Sequence, residues 1–326
     1  MLEQRYENYE EKPLSRLRKS LIISIVVGIG IYVALSIYAD IGEVAQSFAE
    51  FRWVYIPLIL ALTLLNYLFR FYKWHYYLGC IDVRIKRRDS LAIFLSGLSM
   101  SVTPAKLGEV FKSYLLKRLK GTELSRSIPV VFAERATDIL ALLILAAISF
   151  SALEYGLEVL IISFAILLTI VAILQSRPLS LKLLGALKKV PFVSRISGSL
   201  ILAYESGYML LRWKPLLIAV SISVLSWGFE CLALYLVLEA FGIGASMLLS
   251  TFVFAFSSLV GAVSMIPGGL GIADASFAGL LVLAGVSKGI AVSATVIIRF
   301  CTLWFGVIVG LITLLLTGNR IIGASR

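Results

Sequence analysis

Charged side chains lie deep inside otherwise apolar stretches of this chain. Glu134, Arg135 and Asp138 fall within the stretch 127–152, and Arg299 lies in a similar stretch near the C-terminus. Residues three and four positions apart share one face of a helix, so the first three side chains can form one cluster. A charge at the centre of a membrane span costs about 2.5–3.5 kcal/mol on insertion scales. We therefore expect these groups to face one another or a wet cavity, and not lipid.

The two arginines suit the binding of a phosphate. A planar guanidinium presents a fork of N–H donors that matches phosphate oxygens. We predict that Arg135 and Arg299 hold a phosphate group, and the alternative is structural ion pairing between helices, which also occurs without any substrate. No acid accompanies Arg299 in its own stretch. Its candidate partners are Glu230, Asp274, the pair Glu134 and Asp138, or an anionic substrate.

Two Pro/Gly motifs interrupt apolar stretches at matching places. The pattern Pro-x-x-Leu-Gly occurs at 104–108 and again at 267–271. A helix that starts after such a break directs backbone N–H groups and the positive end of its dipole towards an anion. We predict that both turns lie beside the phosphate, and the residues concerned are Pro104, Gly108, Pro267, Gly268, Gly269 and Gly271. Lys106 and Glu109 either line the entrance to the site or are solvated near the membrane surface.

The elements that position these groups are predicted to be membrane helices. Of the 326 residues, 60% are hydrophobic and 15% are charged, whereas a soluble domain has about 45–50% apolar and about 25% charged residues. About 20 apolar residues cross the hydrocarbon core, and six stretches qualify: 20–39, 54–72, 127–152, 159–175, 215–240 and 289–317. We expect an all-α polytopic protein of the bacterial or archaeal plasma membrane.

Loop charges predict how the chain is threaded. Most of the net charge of +11 comes from Lys and Arg between the apolar stretches, and such loops stay in the cytoplasm. The charge therefore does not indicate nucleic-acid binding. Both termini are predicted to be cytoplasmic, as segments 1–19 and 318–326 on either side of one transmembrane domain, 20–317.

Several other residues have ordinary explanations. Lys73 and Lys112 are assigned to basic cytoplasmic loops, and Arg70 is expected to snorkel to the same surface. Trp74, His75 and Tyr76 are typical of an interfacial belt. The three cysteines, Cys80, Cys231 and Cys301, are scattered and predict neither a disulfide framework nor a metal site.

Two broken stretches are predicted to be re-entrant hairpins because they are too short to cross the membrane. The first, around 91–103, starts and finishes beside basic residues and so opens to the cytoplasm. The second comprises 247–266 and 275–286 and is predicted to open to the outside. Span, hairpin and span thus recur in opposite orientation, as repeat one (54–152) and repeat two (215–317).

The repeat extends to the spans in front of the hairpins. Asn66-Tyr67-x-Phe69-Arg70 corresponds to Ser226-Trp227-x-Phe229-Glu230. Inverted repeats with broken helices around a site at the membrane midplane are a recurrent plan of transporters. The alternative is that helices interrupted by Gly and Pro simply pack closely in a bundle.

Four motifs occur together in this chain: Pro104-x-x-x-Gly108-Glu109, Glu134-Arg135-x-x-Asp138, Pro267-Gly-Gly-Leu-Gly-Ile-x-Asp274, and Arg299. In this combination they resemble the lysylphosphatidylglycerol synthase transmembrane region, a family that includes the flippase half of the multiple peptide resistance factor and many stand-alone homologues. The resemblance covers about residues 18–317. It implies a lipid flippase fold with two re-entrant elements, and as site residues it implies Glu134, Arg135, Asp138, Arg299 and the two Pro/Gly turns.

The chain departs from this family in two respects. Asp274 stands where the family would more often have Glu, so the reach of this side chain is in question. The sequence stops at Arg326, so the soluble aminoacyltransferase domain of a complete lysyl-lipid synthase is not expected.

We expect a transporter, and not an enzyme, that moves an anionic phosphate-bearing lipid between membrane leaflets. The lipid would be a phospholipid, an aminoacyl-phospholipid or a polyprenyl-phosphate sugar. Neither a cofactor nor a metal is expected, and the absence of a P-loop leaves gradients, membrane potential or mass action as the driving force. The alternatives are a membrane-embedded lipid-modifying enzyme and a non-transporting partner subunit. The expected partners are membrane lipids and not nucleic acid, while a homo-oligomer and a separate lipid-modifying enzyme are left open.

Overall fold

The structure of this chain is a computed structural model. It describes residues 22–103, 109–149, 205–264 and 266–322, together with positions 161, 165 and 169. Every regular element in these ranges is a helix. The expected all-α class is thus confirmed for the described part of the chain.

Eleven α-helices form the framework of the described residues. They are α1 (Ile22–Tyr38), α2 (Ile41–Glu50), α3 (Ile56–Cys80), α4 (Arg87–Leu98), α5 (Phe111–Lys120), α6 (Leu124–Ser149), α7 (Trp213–Ala240), α8 (Met247–Val263), α9 (Ile272–Leu283), α10 (Lys288–Arg299) and α11 (Phe305–Ile322). A 3₁₀ turn at Pro267–Gly269 separates α8 from α9, and a π-helical turn at Phe300–Trp304 joins α10 to α11.

Three helices in the described ranges are long and apolar enough to cross a membrane: Trp53–Cys80, Trp213–Ala240 and Lys288–Gly318. They coincide with three of the predicted spans. Helix α6 has 26 residues, about 39 Å at 1.5 Å per residue, but it carries charges near its middle. The predicted span 159–175 lies outside the described residues except for three isolated positions.

The segment 40–53 connects the predicted spans 20–39 and 54–72, and most of it forms helix α2 and not a loop. The carboxylate of Asp40 accepts a hydrogen bond from the backbone N–H of Gly42 at 2.8 Å and caps the helix. A bend of 100° separates α1 from α2, and α2 packs against α10. A Cβ added to Gly289 of α10 would lie only 2.9 Å from the Cβ of Glu43, so this glycine lets the two helices approach closely.

Helices α3 and α7 run antiparallel along one another. At one end, the backbone N–H of Arg52, just before α3, donates to the carbonyl of Ala240 at 3.2 Å. Near the middle, the amide of Asn66 donates to the hydroxyl of Ser226 at 3.0 Å. The start of α3 therefore lies beside the end of α7.

The same order of elements occurs twice in the described chain. A long helix is followed by a short helix, a break, a second short helix and another long element, first from α3 to α6 and then from α7 to α11. Lys86 stands directly before α4, and Ser246 stands directly before α8. These two positions are 160 residues apart in the sequence, as are Asn66 and Ser226. The first short helix of each half packs on the last long element of the other: α4 packs on α11, and α8 packs on α6.

Two large apolar clusters flank the middle of the molecule. One joins the second half of α3 to α4, α5 and the start of α7, and the other joins the first half of α3 to α8, α9, α10 and the end of α7. Tyr67 and Leu98 of the first cluster and Phe254 and Phe277 of the second border a common cavity. Those charged residues singled out by the sequence that the structure describes lie in and behind this cavity.

Candidate functional site

A partly open cavity lies where the two halves of the chain meet. Its volume is about 120 Å³, which is enough for several water molecules or a small polar group. Three arginines and two glutamates line it: Arg70, Arg135, Arg299, Glu109 and Glu230. The two arginines that sequence reasoning assigned to one site thus border the same space.

Arg135 is held between two carboxylates. Its Nε lies 3.0 Å from Oε2 of Glu109, and its Nη2 lies 2.9 Å from Oδ2 of Asp138. Glu109 stands just before α5, and Asp138 follows Arg135 on the same face of α6. The guanidinium therefore ties the start of α5, the short helix after the first break, to the long helix α6.

Arg299 has a similar arrangement in the second half of the chain. Its Nε lies 2.7 Å from Oδ1 of Asp274, and its Nη2 donates to the carbonyl of Gly268 at 2.5 Å. Of the candidate partners of Arg299, the structure therefore shows Asp274. This residue lies in α9, the short helix after the second break. Each arginine thus pairs with a carboxylate at the start of the short helix that precedes its own helix.

The Pro267–Gly271 turn has a backbone that only glycine adopts easily. Gly268, Gly269 and Gly271 have φ values of 60°, 68° and 84°, a region that side chains with a Cβ disfavour. Gly269 also packs on Gly261 of α8, whose Cα would lie 3.1 Å from an added Cβ. This backbone directs the carbonyl of Gly268 towards Arg299.

The short side chain of Asp274 is sufficient for its place. Its Oδ2 accepts a hydrogen bond from the backbone N–H of Gly271 at 2.7 Å, while Oδ1 faces Arg299. This N–H was expected to serve a phosphate, but it already has an acceptor. An anion that approaches the start of α9 would have to displace the aspartate.

Lys73 was assigned to a basic loop, and this assignment is wrong. Its side chain is fully buried, and its Nζ lies 2.5 Å from Oδ1 of Asp138. The same ammonium donates to the hydroxyl of Ser223 on α7 at 2.7 Å, and that hydroxyl lies 3.1 Å from the Asp138 carboxylate. Asp138 therefore joins α3, α6 and α7.

Lys112 was also assigned to a basic loop, and it is buried as well. Its Nζ lies 2.5 Å from Oε2 of Glu134 and 4.5 Å from the centre of the Trp74 ring. A cation over an aromatic face is attracted by the ring quadrupole. Trp74 is completely buried, so its assignment to an interfacial belt is wrong too.

A charge count could have signalled the two lysines. Around α6 the acids Glu109, Glu134 and Asp138 outnumber Arg135 by two, and buried charges require partners. A search for two further cations would have reached the ends of the neighbouring apolar stretches, where Lys73 and Lys112 stand.

Arg70 was expected to snorkel to the membrane surface, but it borders the cavity. Its guanidinium carbon lies 5.6 Å from the centre of the Trp227 ring. Arg70 also interacts electrostatically with Glu230, the residue at the corresponding position of α7. The sequence comparison of Asn66–Arg70 with Ser226–Glu230 thus pairs residues that lie close together in the fold.

A π-helical turn directly follows Arg299. Such turns interrupt the regular hydrogen bonding of an α-helix and are frequent at functional sites. The hydroxyl of Tyr67 on α3 donates to the carbonyl of Thr302 in this turn at 2.6 Å. Both residues border the cavity, so the irregular backbone is stabilised from the opposite helix. The remaining candidates Pro104, Lys106 and Gly108 lie outside the described residues.

Comparisons with known proteins agree with the resemblance. The family model for the lysylphosphatidylglycerol synthase TM region matches residues 22–310. A UPF0104 membrane protein from Methanothermobacter thermautotrophicus is 24% identical over 309 residues, which is 86% of this chain and 91% of the relative. A UPF0104 membrane protein from Pyrococcus horikoshii is 22% identical over 339 residues, covering 95% of this chain and 100% of the relative.

Proposed function

Because the chain belongs to the family of the lysylphosphatidylglycerol synthase TM region, we propose that it moves a phosphate-bearing lipid between the leaflets of the plasma membrane. The substrate classes are a phospholipid, an aminoacyl-phospholipid and a polyprenyl-phosphate sugar. In each of them, a phosphate head group would enter the cavity while the apolar tails stay in lipid.

The observation that carries this proposal is the presence of Arg135 and Arg299 in one cavity. Each comes from a different half of the chain, and each presents a planar fork of donors that matches phosphate oxygens. The charged residues that line the cavity are three arginines and two glutamates. The guanidinium groups can pair with the single negative charge of a phosphodiester.

The proposed mechanism is an exchange of the ion-pair partners of the two arginines. In the structure, Glu109 and Asp274 occupy the guanidinium groups that would bind the lipid. A phosphate that displaces one of these carboxylates removes an ion pair that helps to hold the short helix beside it on the adjacent long helix. Binding of the head group would thereby loosen one broken element while the other stays attached to its arginine.

The repeated order of elements supports alternate opening to the two sides. Helices α3 and α7 are antiparallel, and each half packs its first short helix on the last element of the other half. We propose that the halves are inverted repeats whose broken helices are re-entrant. Such repeats supply an inward and an outward gate from one design.

Lipid exchange in liposomes tests the function. The full chain is placed in phosphatidylcholine vesicles with a trace of fluorescent phosphatidylglycerol, and reduction of the outer-leaflet dye by dithionite reports movement between leaflets. Loss of one charge-assisted hydrogen bond costs about 1.5–3 kcal/mol, so Arg135→Ala and Arg299→Ala should slow exchange about 10- to 100-fold. Arg320→Ala is the control, since Arg320 is half exposed and pairs with Asp89 far from the cavity.

Chemical analysis of the lipid separates the alternatives. A transporter returns the phosphatidylglycerol unchanged, whereas a lipid-modifying enzyme alters its mass and a partner subunit accelerates nothing by itself. If both arginine variants fold and move lipid at the wild-type rate, the phosphate role of Arg135 and Arg299 is wrong.

A further inference from the structure

Glu230 differs from the other acids around the cavity. Its side chain is 3% exposed at the middle of α7 and borders the cavity. Its Oε2 has no hydrogen-bond partner among the residues that the structure describes. By contrast, Glu109, Glu134, Asp138 and Asp274 each lie within 3.0 Å of a lysine or arginine nitrogen.

The groups that face Glu230 are few. Arg70 and Tyr67 of α3, Cys301 of the π-helical turn and the adjacent Cys231 interact with it electrostatically. The Arg70 guanidinium lies over the ring of Trp227. From α8, the apolar ring of Phe254 borders the same space. The other titratable groups around the cavity are Glu109, Glu134, Arg135 and Asp138 on the α6 side, and Asp274 and Arg299 beside the Pro267–Gly271 turn.

Among the residues that the structure describes, the charges in and behind the cavity cancel when all are ionised. The cations are Arg70, Lys73, Lys112, Arg135 and Arg299, and the acids are Glu109, Glu134, Asp138, Glu230 and Asp274. A phosphodiester that enters this set adds one negative charge in surroundings of low dielectric constant, where an uncompensated charge is costly. One proton bound by an acid of the set restores the balance.

We propose that Glu230 is a proton-binding site and that one proton enters the cavity with each phosphate-bearing lipid. The inference rests on the proposed function and adds a driving force for it, the movement of protons. Glu230 is the acid to take the proton because the other four are engaged by ammonium or guanidinium groups. Protonation also removes the attraction of Glu230 for Arg70, so that a third guanidinium is more available to attract the phosphate.

A pH gradient across the liposome membrane tests the coupling. Because lipid and proton move together, fluorescent phosphatidylglycerol should become depleted from the leaflet that faces the acidic side in wild-type vesicles, and protein-free vesicles should show no change. In Glu230→Gln, the amide imitates the protonated acid. In this variant, the distribution of the lipid should no longer respond to the gradient, and its exchange rate without a gradient is measured alongside to separate loss of coupling from loss of lipid movement.

Glu239→Gln is the matched control, because it removes an acid from the same helix near its end and away from the cavity. It should respond to the gradient as the wild type does. Equal distribution of the lipid in wild-type vesicles despite the gradient would overturn the proton site and leave the proposed function standing. A wild-type protein that moves no lipid under any condition would overturn both.

Two further outcomes would assign Glu230 another role and overturn the proposal. In one outcome, the lipid distribution in Glu230→Gln vesicles still responds to the pH gradient. In the other, Glu230→Gln slows the exchange of phosphatidylethanolamine only, since the carboxylate would then bind the amine of that head group. Should Glu230→Gln fail to fold, proton uptake by the wild type decides: adding short-chain phosphatidylglycerol to protein in weakly buffered detergent should remove about one proton per bound lipid, and no uptake would refute the coupling.

Discussion

Lys112 connects three features of the buried charge network. Its ammonium pairs with Glu134 and lies over Trp74, and its aliphatic stem covers Gly97 of α4. Breaking a buried pair leaves one charge without compensation, and this costs more than the pair contributes. The lysine and the glutamate should therefore be judged together.

Lys112→Met should destabilise the protein by about 3–5 kcal/mol, because Glu134 is left buried and unpaired. The double variant Lys112→Met/Glu134→Gln should recover most of this loss, since neither residue is then charged. Thermal unfolding in detergent measures both. A double variant that is no more stable than the single one would show that the ion pair is not the reason for the loss.

The residues of the site were not equally predictable from the sequence. Arg135 and Arg299 are conspicuous because they stand well inside apolar stretches. Lys73 and Lys112 stand near the ends of such stretches, where sequence alone does not distinguish a buried lysine from one in a loop. Only packing against Asp138 and Glu134 decides between these environments. The unpartnered oxygen of Glu230 has no counterpart in the sequence pattern at all.

Close packing between helices depends on a few glycines. Gly310 of α11 faces α4, and a Cβ added there would meet the backbone nitrogen of Ser99 and lie 2.8 Å from the carbonyl oxygen of Leu95. Backbone atoms cannot move aside as the end of a flexible side chain can. The two helices must therefore separate or shift if position 310 gains a side chain.

Gly310→Ala should lower the stability of the protein by at least about 1–3 kcal/mol, the usual cost of overpacking. Gly318→Ala in the same helix is the control, because nothing lies within 4 Å of the added Cβ. That change should be neutral or stabilising by about 0.5–1 kcal/mol, since alanine favours a helix. Equal melting temperatures for the two variants would contradict the close contact of α4 and α11.

At the scale of elements, hydrophobic length and Pro/Gly breaks predicted most helices but not all. The stretch 215–240 corresponds closely to α7, and the second broken element corresponds to α8 and α9. Helix α2 was missed because its polar residues and the acids of segment 40–53 resemble a loop. Its apolar side packs on α10, and such a tertiary contact leaves little trace in a short sequence window.

The proposed inversion of the two halves has a direct test on the whole molecule. Glu123 and Ser287 stand immediately before α6 and α10, and both are exposed. Single cysteines at these positions, in a chain whose three native cysteines are replaced, should react with a membrane-impermeant maleimide from opposite sides. Glu123→Cys should be labelled from the cytoplasm and Ser287→Cys from outside. Labelling of both from one side would exclude the inverted arrangement.

Phe69 and Phe229 make contact, with ring centres 5.4 Å apart, and they stand at corresponding positions of α3 and α7, as do Asn66 and Ser226. Where counterparts meet in this way, a chain with two identical halves would set each residue against a copy of itself. That is harmless for two phenylalanines, but at the next position it would bring two arginines or two glutamates close together at the border of the cavity. The difference between Arg70 and Glu230 thus avoids a contact between like charges, and divergence of the halves at this position lowers the electrostatic cost of bringing the two helices together.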